Sequence, residues 1–375
     1  MLSLYIHVPF CVQKCSYCGF YSTQYSHTSA EQFVSALEQE AALSQLLVDH
    51  RTFDSVYIGG GTPTTLHPDQ LERLFRTARS FSVARDAEFT VEANPDSLSK
   101  DHLRIMLNHD VTRLSLGIQA FSDPVLRFLG RPHSSEQGKA AFRMARDAGF
   151  ANVGIDLIYG IPGQTVVQWE ECIEQAVSLR PQHVSAYSLS LDEGSRFTND
   201  ADAGRFFLQD DDHTAFLYER AVLLLAQAGY ARYEISNFSL PGFESRHNMN
   251  YWERGEYLGL GPGAWSFLGG RRTATIADIV DYARIISLGR PAVDAAEDIG
   301  IESAARETIL LGLRTMRGLD LERFEREFGP ELRRRLDANV NAVHKAGLCL
   351  QSGGRLRLTE RGILLSNEAL ARLAV

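Results

Sequence analysis

The chain has 375 residues, with 38 Lys and Arg against 47 Asp and Glu, a formal net charge of −9. With 44% hydrophobic and 23% charged residues it is ordinary globular material, which excludes a disordered chain, a coiled-coil rod and a collagen-like fibre. The acidic balance argues against a broad nucleic-acid surface, and no run approaches the roughly 18 apolar residues of a membrane-spanning helix.

At roughly 150 residues per domain the length allows two domains, or one large barrel with an appendage. The start, Met1 to Phe10, has no basic region and no small-residue cleavage site, so a secretory signal is not expected and a cytoplasmic protein is. Short apolar or β-branched runs predict strands at 3–8, 55–58, 88–92, 113–118, 153–159 and 183–190. Helical patterns follow at 30–47, 68–79, 100–108, 135–148, 166–179 and 211–228, the third opening with Ser99 as N-cap and Asp101 in its first turn. Six strand–helix units predict an α/β fold with a parallel sheet and right-handed crossovers. Six is fewer than the eight of a closed barrel, so an incomplete (β/α)6 barrel is expected, although a doubly wound sheet would share the alternation.

The stretch 233–270 breaks this rhythm with Gly, Asn and aromatic residues, including Arg246-His247-Asn248-Met249-Asn250-Tyr251-Trp252. From about 301 helices are expected at 303–316, 321–327 and 331–346, then a hairpin at 348–359 turning on Ser352-Gly353-Gly354, then a closing helix. That is an α+β, winged-helix-like module. The expected division is therefore 1–230, 231–300 and 301–375. The last part carries 13 basic and 10 acidic residues. Arg333-Arg334-Arg335 could meet phosphate, but in so weak a field a solvated helix face is the simpler account.

Three of the five cysteines, Cys11, Cys15 and Cys18, fall within eight residues as CxxxCxxC. Such crowding reads as metal ligation rather than a disulfide framework. Cys172 and Cys349 are expected to be small buried hydrophobes. The spacing suits a loop wrapped round a compact centre. Two centres fit: a tetrahedral zinc using His7 or His27 as fourth ligand, or a [4Fe–4S] cube with one iron lacking a protein ligand. The second strand ends in Gly59-Gly60-Gly61-Thr62-Pro63-Thr64, which is neither a dinucleotide fingerprint nor a P-loop. Its glycines allow close backbone approach to a ligand, and Pro63 blocks helix continuation, which suits an amino-acid head group. Glu92 closes the third strand, Gln119 the fourth, Asp156 lies inside the fifth and Ala186 inside the sixth. A carboxylate in an apolar strand is costly unless paired. A structural pair with an arginine would explain Asp156 alone, and a loop cap Glu92 alone. Six successive strands with a polar or glycine-rich element make a shared ligand site the better account, since parallel barrels carry chemistry at the carboxyl ends of their strands.

CxxxCxxC after a first strand, with the glycine-rich loop after the second, resembles the radical S-adenosylmethionine (radical SAM) superfamily. Tyr5–Cys11, Ile58–Thr64, Val91–Asp96, Leu116–Phe121, Leu129–His133 and Ile155–Gly163 narrow the resemblance to relatives of oxygen-independent coproporphyrinogen III oxidase. It implies that Cys11, Cys15 and Cys18 ligate a [4Fe–4S] cluster and that Tyr5, Tyr17, Gly60, Gly61, Thr62, Glu92, Gln119, Arg131, Asp156 and Ala186 surround S-adenosylmethionine. It implies reductive cleavage of that molecule to methionine and a 5′-deoxyadenosyl radical, fed by a flavodoxin- or ferredoxin-type reductant. Two features depart from the oxidase: Phe20 stands where it has a further cysteine, and little chain precedes Cys11. Conversely, His247-Asn248-Met249-Asn250-Tyr251-Trp252 matches the HNxxYW motif of the haem-chaperone (HemW-type) branch. That match implies a protein that binds haem and delivers it to haem-accepting proteins, rather than a decarboxylase, and leaves open whether the cleavage serves catalysis. It implies haem contacts at His247, Asn248, Tyr251 and Trp252, with the imidazole as a possible axial ligand and the aromatic rings packing on the macrocycle. A hydrogen-bonded core histidine is the simpler alternative for His247, and His7 reads as a structural hydrogen-bonder.

Overall fold

The structure, a computed structural model, describes residues 1–375. Six parallel strands, Leu2–Val8, Phe53–Gly60, Val83–Ala93, Arg113–Gln119, Asn152–Tyr159 and His183–Ser188, lie side by side in chain order. Helices His27–Val48, Pro68–Arg79, Lys100–Asn108, Ser135–Ala148 and Val166–Ser178 make the crossovers, and Asp211–Gln227 follows the sixth strand. Their starts are encoded locally. Ser99, Ser134 and Thr165 each accept the amide three residues on, closing capping boxes with His102, Gln137 and Gln168.

Strand alternation divides the sheet into two faces. Val56, Ile58, Phe89, Val91, Leu114, Leu116, Val153, Ile155 and Val184 are buried in one apolar core with the helices. The alternate set, among them Tyr57, Glu92, Ser115, Gln119, Asp156 and Ser185, lines the concave side.

The sheet does not close. Glu256–Leu260 adds a seventh parallel strand outside the first, with Leu2 opposite Glu256 and Ile6 opposite Leu260. Trp265–Leu268, Arg271–Thr275 and Val293–Asp298 extend that edge antiparallel. At the other edge Asn237–Ser239 runs antiparallel to the sixth strand, with Ala231–Arg232 beyond it, giving twelve strands in one sheet. Residues 231–300, expected as a connecting segment, thus supply both edges of the barrel sheet. Their strands are short and glycine-punctuated, which hides them from a periodicity count.

The C-terminal part packs helices Ile301–Gly312 and Leu321–Lys345 against a three-stranded sheet of Leu319–Asp320, Cys349–Ser352 and Arg355–Leu358, and ends in Glu360–Leu364 and Ser366–Leu373. The long helix is broken at Gly329 (φ 86°), just before Pro330. The C-terminal part docks through Glu307 on the helix Ile301–Gly312, which accepts from Arg254 at 3.1 Å and from Arg272 at 2.8 and 2.9 Å. Arg333, Arg334 and Arg335 pair with Asp337, Glu331 and Glu302 within this module. Cys172 and Cys349 are buried. No helix is long and apolar enough to cross a membrane.

Candidate cofactor-binding site

The concave face encloses a cavity of about 440 Å³, with Cys11, Cys15 and Cys18 in its wall. Of the residues expected round S-adenosylmethionine, Tyr17, Gly60, Gly61, Thr62, Glu92, Gln119, Arg131 and Asp156 line it; Tyr5 and Ala186 do not. Ala186 falls on the helix-facing parity of its strand and joins the apolar core. The Tyr5 phenol lies in the barrel interior, 3.0 Å from His7 Nδ1.

The glycine loop is shaped by close packing on the cysteine loop. A Cβ on Gly61 would stand 2.5 Å from the Phe10 carbonyl oxygen, and one on Gly60 (φ 101°) would collide with the His7 ring. The amides of Gly61 and Thr62 donate to the carbonyls of Val8 (2.8 Å) and Phe10 (2.6 Å). The Thr62 hydroxyl accepts from Asn94 Nδ2 at 2.7 Å and stands 3.6 Å from Cys11 Sγ. Gln119 holds φ 67° at the end of the fourth strand, a left-handed conformation unusual for this residue type and placed on the cavity wall.

Two carboxyl groups face the cavity. Glu92 accepts from the Tyr57 phenol (2.6 Å) and the Gly60 amide (3.2 Å), and burial pushes its pKa up to about 7. Asp156 accepts from Ser185 Oγ at 2.6 Å and from Ser115 Oγ at 3.1–3.2 Å; burial raises its pKa, while Ser185 and the Arg113 charge oppose the rise. Serines, not an arginine, are therefore the direct partners of Asp156. Ser115, Ser185, Arg113 and Asn94 also line the cavity and were not foreseen. All but Asn94 could have been found by carrying the alternation of Asp156 onto the neighbouring strands.

The three cavity cysteines are half-buried and form no disulfide. Burial raises the Cys11 and Cys18 thiols, the latter to about 11. No three His, Cys, Asp or Glu side chains close round a point the size of a single ion. The histidines proposed for zinc are placed elsewhere. His7 is engaged by Tyr5 and by the Tyr21 carbonyl (2.9 Å), and His27 sits at a helix start beside Gln70. Three thiols with no histidine beside them leave a single zinc ion one donor short of its usual four, whereas a [4Fe–4S] cluster with one iron free of protein needs only these three.

The HNxxYW residues form the helix Arg246–Trp252, set at the amino ends of the strands. Glu88 holds its start, accepting from the amides of Arg246 (3.1 Å) and His247 (3.0 Å), a carboxylate at a helix N-terminus. His247 is 1% exposed. Its Nδ1 lies 3.0 Å from Ser55 Oγ and its Nε2 3.0 Å from the Tyr251 phenol. Burial lowers its pKa to about 3, so the ring is neutral. Both ring nitrogens are thus engaged inside the barrel, the arrangement of the simpler alternative, a hydrogen-bonded core histidine. The remaining motif residues diverge. Asn248 lines the main cavity, Tyr251 an aromatic groove with Tyr257, Trp265 and Phe267, and Trp252 a cleft against the C-terminal part.

Residues 5–176 match the Radical SAM superfamily and residues 302–365 match the HemN C-terminal domain. The heme chaperone HemW of Bacillus subtilis (strain 168) is 36% identical over 371 residues, 98% of each chain. That of Lactococcus lactis subsp. lactis (strain IL1403) is 34% identical over 376 residues, 99% of this chain and 96% of the relative. The solved structure of coproporphyrinogen III oxidase (HemN) from Escherichia coli is similar at a TM-score of 0.87 and 24% identity, covering 100% of this chain and 90% of that one, and shows the common fold. An open parallel barrel with three thiols in its cavity wall, the two matched segments and full-length similarity to these relatives lead to one assignment: the chain belongs to the radical SAM superfamily and, within it, to the family of the heme chaperone HemW.

Proposed function

We propose that this protein binds haem and hands it to haem-accepting proteins in the cytoplasm, using a barrel that also carries a [4Fe–4S] cluster and S-adenosylmethionine. The observation that carries this reading is the helix Arg246–Trp252, an HNxxYW segment built into the barrel floor, with Asn248 on the wall of the cavity that holds the three cysteines. Phe20, 66% exposed at the cavity where the decarboxylase has a further cysteine, supports the same reading.

Cys11, Cys15 and Cys18 would hold the cluster. When bound, cluster and S-adenosylmethionine supply one-electron reductive chemistry. The chain's own contribution is orientation. The carboxyl of Glu92, when ionised, and that of Asp156 are placed to hold cationic and hydroxyl groups by charge-assisted hydrogen bonds. Gln119 and Thr62 add polar contacts on the same wall. A flavodoxin- or ferredoxin-type protein would supply electrons.

The test joins two assays on anaerobically reconstituted protein: a haem titration followed by transfer to an apo-haem protein, and incubation with coproporphyrinogen III. Stoichiometric haem uptake and transfer are expected. Decarboxylation without haem binding would replace this reading with the oxidase.

A further inference from the structure

Arg131 is a cationic side chain in an unusual position. It is 8% exposed, yet no carboxylate lies within ion-pair distance of it. Its Nη2 donates to Asn94 Oδ1 at 2.6 Å and to the Gly117 carbonyl at 2.5 Å. Its Nη1 donates to Cys15 Sγ at 3.3 Å. Its Nε–H is buried with no partner. The guanidinium is thus clamped at one corner and points a second corner at a cysteine sulfur, with the Nε–H left without a partner.

A buried positive charge donating to a ligand sulfur favours whichever state of a cluster carries more negative charge. Reduction adds one electron and no proton to the cluster, so such a donor raises the reduction potential. Burial strengthens the effect, because water does not screen it. Planarity matters as well. One guanidinium can be held by Asn94 and Gly117 while donating elsewhere, whereas an ammonium offers a single point of charge.

We propose that Arg131 sets the reduction potential of the cluster by donating a charge-assisted hydrogen bond to the sulfur of Cys15, and that Asn94 and the Gly117 carbonyl hold it in place. The proposal rests on the cluster reading above and goes beyond the S-adenosylmethionine contact that the resemblance implies for this residue. In this role Arg131 is a positioning residue acting through Cys15.

The experiment is an anaerobic redox titration of reconstituted protein without S-adenosylmethionine, followed by the paramagnetic resonance signal of the reduced cluster. Wild type is compared with Arg131→Met, Arg131→Lys and Asn94→Ala at matched iron and sulfide content. A lower midpoint potential in Arg131→Met is expected, with smaller drops in Arg131→Lys, which keeps the charge, and in Asn94→Ala, which loosens the clamp. An unchanged midpoint in Arg131→Met overturns the proposal, even if S-adenosylmethionine binding falls. If Arg131→Met does not load, the same comparison is decided on Asn94→Ala and Arg131→Lys. Wild-type protein that takes up no iron or sulfide would instead refute the cluster itself.

Discussion

The phenol of Tyr57 donates to the Glu92 carboxyl group at 2.6 Å, in a wall so buried that the carboxyl holds its proton up to a pH of about 7. A protonated carboxyl is a poor partner for a cationic amino group. Affinity for S-adenosylmethionine is therefore expected to rise with pH through about 7, by up to about tenfold per unit on the acidic side. Glu92→Gln should bind more weakly and without this rise. Calorimetric titration between pH 6 and 8 measures both profiles; identical slopes would show that Glu92 does not hold the cation.

A second buried carboxyl governs stability. Glu40 accepts from the Gly261 amide (2.7 Å) and the Tyr282 phenol (2.8 Å), joining the first helix to the outer strand region, and burial raises its pKa to about 7. The native state keeps a proton that the unfolded chain releases above the ordinary glutamate value of 4.5. The contribution of Glu40 is therefore fully present below that value and is lost as pH rises to about 7, by up to about 3 kcal/mol. Glu40→Gln should flatten this part of the stability profile, as read by urea denaturation at several pH values between 4.5 and 8.

Alanine at Cys11, Cys15 or Cys18 is expected to abolish cluster loading while leaving the far-ultraviolet circular dichroism unchanged. The three side chains are half-buried and bear little of the core. Cys172→Ala should load normally. Iron and sulfide analysis after anaerobic reconstitution decides this; full loading of any of the three alanine variants would remove that cysteine from the ligand set.

His247→Ala leaves a cavity and takes partners from Ser55 and Tyr251, so a loss of about 2–4 kcal/mol is expected in denaturant unfolding. Measured where both proteins are folded, the haem absorption spectrum should match wild type if the imidazole acts only as a strut. A lost or shifted Soret band would show that the ring reaches iron after rearrangement.

What was legible in the sequence is what is local. The cysteine triplet, the glycine loop, the six core strands and the helix start capped by Ser99 each declare themselves within a few residues. Asp156 announced itself as a carboxylate in an apolar strand, but its partners Ser115 and Ser185 lie on neighbouring strands. The HNxxYW motif marked His247, and not its direction. That direction depends on Glu88, which anchors the helix from far along the chain, and on Ser55 in the second strand. Glu256–Leu260 was missed because its role comes from pairing with Leu2–Ile6, which no local pattern reports.

That pairing has a consequence for biogenesis. The strand leading into the cysteine loop is made well before its outer neighbour at residues 256–260. Until then one flank of the nascent sheet offers unpaired backbone groups to whatever it meets. A chain cut short before residue 256 would therefore leave the outer edge of Leu2–Val8 unpaired.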